Sequence, residues 1–264
     1  MKAKKSFGQH FLHDGRVLQA IVNAAAPREG ELVVEIGPGT GQLTKRLAAQ
    51  VGVQNLRAVE ADRDMVAHLA TKMPELEVVQ ADAARFEWET LIHNQPAVIV
   101  GNLPYNASTA ILFHLLLNHR HRFRRMIFMF QREVAERLRA GPGGKTFGPP
   151  SVLSSLLAKV QMVVKVPPGA FRPPPKVDSA VLSFEPREQP LFNIENDQIN
   201  DFNDFVHALF RQRRKTVLNN LKRVAGQDAA EHLNAVDINP MARAETLEIE
   251  SLVELWRHVL GEKP

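Results

Sequence analysis

The sequence predicts an α/β protein, an open and mostly parallel sheet with an antiparallel edge, followed by a small all-α domain. Three observations carry this. Short runs rich in valine and isoleucine alternate with stretches of helical period from residue 31 to about 140, the pattern of strand-helix-strand units. The first of those runs ends in the glycine-rich turn GPGTG (37–41). From about residue 191 no strand pattern remains, and FNDFVHALFRQRRKTVLNNLKRV keeps a helical period.

Taken in order, Asp14 is a plausible N-cap for a helix whose Val17, Leu18, Ile21, Val22 and Ala25 share one stripe and which ends near Pro27. ELVVEIG (31–37) is a short branched strand, and Leu43 and Leu47 mark the helix after the glycine turn. LRAVEAD (56–62) and LEVVQAD (76–82) are strands on either side of a helix carrying Met65, Val66, Leu69 and Met73. AVIVGN (97–102) is the fourth strand, STAILFHLLL the next helix, RMIFMF the fifth strand and REVAERLRA another helix. GPGGKTFGPP then reads as a loop, SVLSSLLAK as a helix, and VQMVVKV (160–166) and 177–184 as two last strands forming the antiparallel edge. The polar stretch 187–196, with Pro186 and Pro190 at its margins, is the expected linker, which divides the chain into domains 1–190 and 191–264.

Composition narrows the function classes. At 264 residues and 44% hydrophobic content the chain can bury a full core. With no cysteine there is neither a disulfide framework nor a thiolate site. The start MKAKKSFGQHF has lysines without an apolar stretch behind them, and no apolar run approaches the length of a membrane span. A cytoplasmic protein is the expectation.

The chemistry gathers at strand ends. Gly37, Gly39 and Gly41 lie between a strand and a helix, where backbone N–H groups can meet a ligand, but the spacing misses the dinucleotide fingerprint. A plain strand-to-helix connection is the alternative. Glu60 closes the second strand, where a carboxylate can accept from ribose hydroxyls, and Asp82 closes the third, placed for an exocyclic amine or ring edge. Singly, either acid reads as a helix cap; the ordered set describes an adenosine-shaped site. At the fourth strand end Asn102, Leu103, Pro104 and Tyr105 follow. The Asn102 side-chain carbonyl, with the main-chain carbonyl of Leu103 or Pro104, could accept both protons of an aryl amine and restore nucleophilic character to its nitrogen. Tyr105 offers a ring face for a base. The competing reading has Asn102 capping the helix near Ser108. Basic residues cluster in HRHRFRR (119–125), at Lys2, Lys4 and Lys5, and at Arg211, Arg213, Arg214, Lys215, Lys222 and Arg223, the last set at helical spacing and suited to phosphates. Residues 227–264 hold eight acids against three Lys or Arg and are expected to face away from a polyanion.

FGQHFL, VEIGPGTGQLT, VEAD, QAD, GNLPYN, FMFQREVAERL, FRPPPKVDSAV and FRQRRKTVLNNL, in this order, resemble the bacterial small-subunit ribosomal RNA adenine dimethyltransferases. The resemblance implies a Rossmann-like methyltransferase sheet and S-adenosylmethionine as cofactor, with S-adenosylhomocysteine as product. It implies N6,N6-dimethylation of two adjacent adenosines in the loop of a hairpin near the 3′ end of 16S rRNA, on a 30S particle, during small-subunit biogenesis. By the same resemblance His10, Leu12, Gly37, Glu60, Asp82 and Asn102 are cofactor contacts, and Asn102, Leu103, Pro104, Tyr105 and Phe171 surround the reacting base. Bacterial members commonly have asparagine where this chain has His10. The implied mechanism needs no metal, and a monomer is expected. Three other readings remain open: an NAD-dependent oxidoreductase, a methyltransferase acting on DNA adenine or large-subunit rRNA, and a silent RNA-binding assembly factor.

Overall fold

The computed structural model describes residues 10–93 and 96–261; the expected basic group Lys2, Lys4 and Lys5 lies outside them. The chain forms two compact units, Met1–Ala135 with Ala158–Glu188, and Glu136–Leu157 with Gln189–Pro264. The single expected boundary at residue 190 is therefore incomplete. The helix in 149–157 carries apolar residues over most of its surface, and it packs with the carboxy-terminal helices rather than with the sheet it precedes in sequence.

In the first unit, β1 (Phe11–Leu12) pairs with β8 (Phe171–Arg172) as a small antiparallel ribbon that the sequence pattern did not announce. The main sheet contains β2 (Val33–Ile36), β3 (Leu56–Glu60), β4 (Glu77–Gln80), β5 (Ala97–Gly101), β6 (Phe123–Gln131), β7 (Ala158–Val166) and β9 (Ser179–Pro186). Their spatial order is β4-β3-β2-β5-β6-β9-β7, with β4 through β6 mutually parallel. β5 is buried along its whole length, as its unbroken apolar run requires of a strand covered on both faces. The reversed strand is β9, lying between β6 and the outermost β7. The β7-to-β9 connection, 167–178, carries no crossover helix, so these two strands pair antiparallel. Helices α1 (Gly15–Ala25), α2 (Gln42–Val51), α3 (Arg63–Lys72) and α4 (Ser108–Asn118) connect the strands. Asp14 caps α1 by accepting from the Arg16 and Val17 N–H groups at 2.8 and 3.2 Å, and the five stripe residues are all buried.

The HRHRFRR segment is occupied by its own unit. Arg124 makes a two-pronged pair with Glu31 at 2.6 and 2.7 Å. Arg125 meets Glu185 at 2.8 Å, Arg122 lies 3.6 Å from Glu89, and Arg120 is buried with Nε donating to the Arg187 carbonyl. Most of this positive charge is thus neutralised within the unit and not offered to a phosphate.

The second unit is helical: α5 (Arg132–Leu138) in its final turn, then α6 (Pro149–Leu157), α7 (Ile199–Phe210), α8 (Val217–Ala225), α9 (Ala229–Ala235) and α10 (Ile249–Leu260). Phe202 packs edge-on against Trp256 at 5.4 Å, and the Trp256 indole N–H donates to Asp201 at 3.1 Å. The expected continuous basic helix over 211–223 is interrupted. Residues 211–216 form the turn between α7 and α8, because the fully buried Asn220 carboxamide claims the turn backbone. Its oxygen accepts from the Gln212 N–H and its nitrogen donates to the Gln212 carbonyl, both at 3.2 Å. Replacing Asn220 by alanine removes both bonds; the Gln212 carbonyl keeps the Lys215 N–H as a donor at 2.9 Å while the Gln212 N–H loses its side-chain acceptor, so Asn220→Ala is expected to lose about 1 kcal/mol of stability. A urea midpoint equal to that of the unaltered protein would contradict this account of the turn.

Candidate functional site

Every strand from β2 to β6 points its carboxyl end the same way, and the chain reverses its order between β2 and β5, which is where open parallel sheets bind ligands. Ile36 and Gly101 pair in register as the last residues of those two strands. The glycine turn and Asn-Leu-Pro-Tyr consequently leave the sheet side by side. A Cβ on Gly101 would meet the Ile36 carbonyl at 2.9 Å, so this closeness needs glycine there. Gly39 has φ +53°, and a Cβ on it would lie 3.1 Å from the Phe11 ring, which covers the turn.

These elements enclose a cavity of about 380 Å³, within the range of small-molecule sites. Of the expected residues, His10, Leu12, Gly37, Glu60, Asp82, Asn102, Leu103, Pro104 and Tyr105 all line it. Phe171 does not. It is 2% exposed and belongs to the hydrophobic core, beside its ribbon partner Leu12. An apolar ring on a strand residue facing the core has nothing to draw it outward, so the base-stacking role expected for Phe171 has no support in this arrangement. The six basic residues Arg211, Arg213, Arg214, Lys215, Lys222 and Arg223 belong to the second unit, all exposed. Arg213 is tied by a 2.7 Å bond to the Lys145 carbonyl.

The carboxylates are not simple caps. Asp62, not Glu60, caps α3. Glu60 accepts from the Gly39 N–H at 3.2 Å through one oxygen and from the Asp62 N–H at 2.9 Å through the other. It thereby bridges the glycine turn to β3, and each oxygen keeps a lone pair for a ligand. Burial pushes its carboxyl up, against the pull of those two N–H groups. Asp82 accepts from the Ala84 N–H at 3.0 Å, which also makes it a turn residue.

Asn102 is held by one bond. Its Nδ2 donates to the His10 carbonyl at 2.9 Å, and a carbonyl can only accept, so the amide end is decided by chemistry. Among the described residues no donor meets Oδ1, and Asn102 lines the cavity. α4, in turn, has no side-chain cap, which removes the competing structural role for Asn102. The choice between the two main-chain carbonyls is also resolved: Pro104 already accepts from the Ala107 and Ser108 N–H groups at 3.0 and 2.9 Å, leaving Leu103. Tyr105 is fixed by a 2.7 Å hydroxyl contact with Ser179 and by His10 stacked 5.7 Å from its ring. Burial raises its phenol above the ordinary value, so it stays protonated. The His10 Nδ1 lies 2.8 Å from the Pro173 carbonyl and must carry the proton.

Two participants escaped the reading of the sequence. Phe11 stood in the quoted FGQHFL but nothing marked it as the cover of Gly39. Glu35, the charged residue inside the branched strand VVEI, is fully buried and lines the cavity; an acid in the middle of a core strand was the available signal. With Glu35, Glu60 and Asp82 the cavity has three carboxyl groups, and among the described residues no lysine or arginine lines it. This donor set fits a ligand that combines hydroxyls and an amine with positive charge, as S-adenosylmethionine does, and it does not fit a pyrophosphate.

Comparison with known proteins agrees with this geometry. Residues 1–259 match the family described as ribosomal RNA adenine dimethylase. The ribosomal RNA small subunit methyltransferase A of Syntrophotalea carbinolica is 44% identical over 257 residues, 96% of each chain. Its counterpart from Xanthomonas euvesicatoria is 43% identical over 259 residues, covering 96% of this chain and 95% of that one. Among solved structures, a dimethyladenosine transferase from Plasmodium falciparum superposes with a TM-score of 0.79 at 25% identity, covering 93% of this chain and 96% of its own. The 23S rRNA methyltransferase ErmE superposes with a TM-score of 0.71, also at 25% identity, covering 94% and 99%. The chain belongs to the ribosomal RNA adenine dimethylase family.

Proposed function

We propose that this chain is an S-adenosylmethionine-dependent rRNA adenine dimethyltransferase. It methylates N6 of two adjacent adenosines in a hairpin loop near the 3′ end of 16S rRNA, within a 30S particle in the cytoplasm, as a monomer and without a metal. The observation that carries the reading is the Asn102 carboxamide, whose nitrogen donates to the His10 carbonyl, with Asn102 and Leu103 both lining the cavity. The small-subunit target rests on the sequence relatives, because the two solved structures of different specificity are equally distant in sequence.

S-adenosylmethionine supplies an electrophilic methyl group on a sulfonium centre. The residues of the chain bind and align. Glu60 takes the ribose hydroxyls with the lone pairs left after its two backbone bonds, and Asp82 takes the adenine edge. Gly37 turns the chain next to Asn102 with φ +66°, a conformation that favours glycine. His10 and Leu12 close the amino-terminal side. The target base must leave its stack to enter, and Tyr105 offers it a ring face. Asn102 Oδ1 and the Leu103 carbonyl accept the two amine protons and draw them out of the ring plane, leaving the nitrogen lone pair toward the methyl group. The second transfer has one N–H left, and a single acceptor suffices for it. Phosphate binding is assigned to the turn Arg211–Lys215 with Lys222 and Arg223, the helical unit Glu136–Leu157 with Gln189–Pro264 acting as the RNA-binding part and Met1–Ala135 with Ala158–Glu188 as the catalytic one.

Mass spectrometry of 16S rRNA from unmethylated 30S particles, incubated with the protein and S-adenosylmethionine, tests the reading directly: two adjacent dimethyladenosines are expected. Unmodified rRNA, or equal labelling of 50S particles, rejects it. Asn102→Ala is expected to lower the methylation rate by about a thousandfold with cofactor affinity changed less than tenfold, since the lost contact belongs to the transition state. Asn102→Asp keeps an acceptor but loses the donor to His10 and is expected to be nearly as slow. Reversing Arg213 and Arg214 to glutamate is expected to weaken 30S binding and flatten its dependence on salt, because fewer counterions are released; an unchanged slope would move the RNA face elsewhere.

A further inference from the structure

Glu35 is a buried titratable group lining the cavity that the mechanism leaves unused. It sits in β2 opposite Ala58 of β3 and Val100 of β5, 2% exposed, with its carboxyl at the cavity. Oε2 has no hydrogen-bond partner among the described residues. From α2 the Thr44 hydroxyl favours the anion without closing a well-formed bond to Oε2, and from the end of β3 Glu60 opposes it. Asp82 and His10 are the other titratable side chains lining the cavity, with Tyr105, whose phenol stays protonated. With no guanidinium or ammonium lining the cavity among the described residues, burial pushes the carboxyl up to about 8, and Glu35 is mostly neutral at physiological pH.

We propose that Glu35 senses the charge of the ligand in the cavity, releasing a proton when the methyl donor binds and regaining it when the donor has become product, and so favours donor over product. This rests on S-adenosylmethionine being the cofactor. Donor and product share every group except the methyl, and only the donor carries the sulfonium charge. A cation in the cavity favours the Glu35 anion; the neutral thioether does not. Linkage then requires donor affinity to rise with pH up to the value at which free Glu35 ionises and to level off above it, with product affinity following more weakly.

Calorimetric titration of the full chain with S-adenosylmethionine and S-adenosylhomocysteine, in buffers of different ionisation enthalpy, counts the protons exchanged. About half a proton more is expected to leave with the donor than with the product near pH 7.5, and the product-to-donor ratio of dissociation constants is expected to grow about three- to tenfold from pH 6.5 to 8.5. Glu35→Gln keeps the shape of the neutral acid and cannot titrate, so both effects vanish in it, while proton exchange from the ligands' own amino groups persists. Equal proton counts for the two ligands in the unaltered protein overturn the proposal, as does a difference surviving in Glu35→Gln; if that variant binds neither ligand, the unaltered protein's counts decide. Failure of the unaltered protein to bind either ligand rejects the cofactor reading itself. A ligand-free check has a fixed sign. With the folded value near 8 and the ordinary one 4.5, the unfolded chain gives up this proton first, so stability relative to Glu35→Gln should fall as pH rises between them. A pH-independent difference in unfolding midpoints would show that Glu35 is not neutral.

Discussion

A single hydrogen bond, from the Asn102 carboxamide to the His10 carbonyl, governs how the catalytic end of the sheet presents itself. An amide has one donating and one accepting end, and committing the first to a main-chain carbonyl 92 residues away turns the second toward the cavity. The bond is possible because the segment at His10 is itself anchored. Phe11 and Leu12 pair with Arg172 and Phe171, Phe11 covers Gly39, and the His10 ring stacks on Tyr105. Residues 10–12 thus line the cavity and fix the carboxamide of Asn102. Phe171, buried behind Leu12, contributes to that anchoring.

Charge selects the ligand as much as shape does. The glycine turn, the parallel sheet and the acid at the end of β3 are shared with dinucleotide enzymes, and on these grounds alone an NAD-dependent reading stays open. The lining residues separate the two cases, because the described ones include three acids and no lysine or arginine that could pair with a pyrophosphate. The burial that raises Glu35 and Glu60 keeps this concentration of acid tolerable in the absence of a cation.

Much of this was legible beforehand. All seven strands of the main sheet were marked by branched apolar runs, and the cavity residues by their positions at strand ends, because periodicity and topology depend on local sequence. What failed depended on tertiary partners. The 119–125 arginines looked like a basic patch, yet Glu31, Glu89 and Glu185, distant in sequence, take three of them. The run 211–223 looked like one helix because the apolar period continues through it, whereas Asn220 folds its side chain back onto Gln212 and opens a turn. Pro104 offered a carbonyl on paper that the first turn of α4 had already taken. Glu35 drew no notice because its significance lies in what does not surround it.

The interleaving of the two units constrains how the chain can be made and cut. Glu136–Leu157 belongs with Gln189–Pro264, yet Ala158–Glu188, between them in sequence, completes the sheet. During synthesis the segment with α6 emerges long before the helices that bury Val152, Leu153, Leu156 and Leu157, and it must wait with that surface uncovered while β7 and β9 are added. A shortened chain ending near residue 190 would keep that surface permanently bare and tend to self-associate. Isolating the helical part calls for removing Ala158–Glu188, which carries β7 to β9 of the first unit, and rejoining the ends.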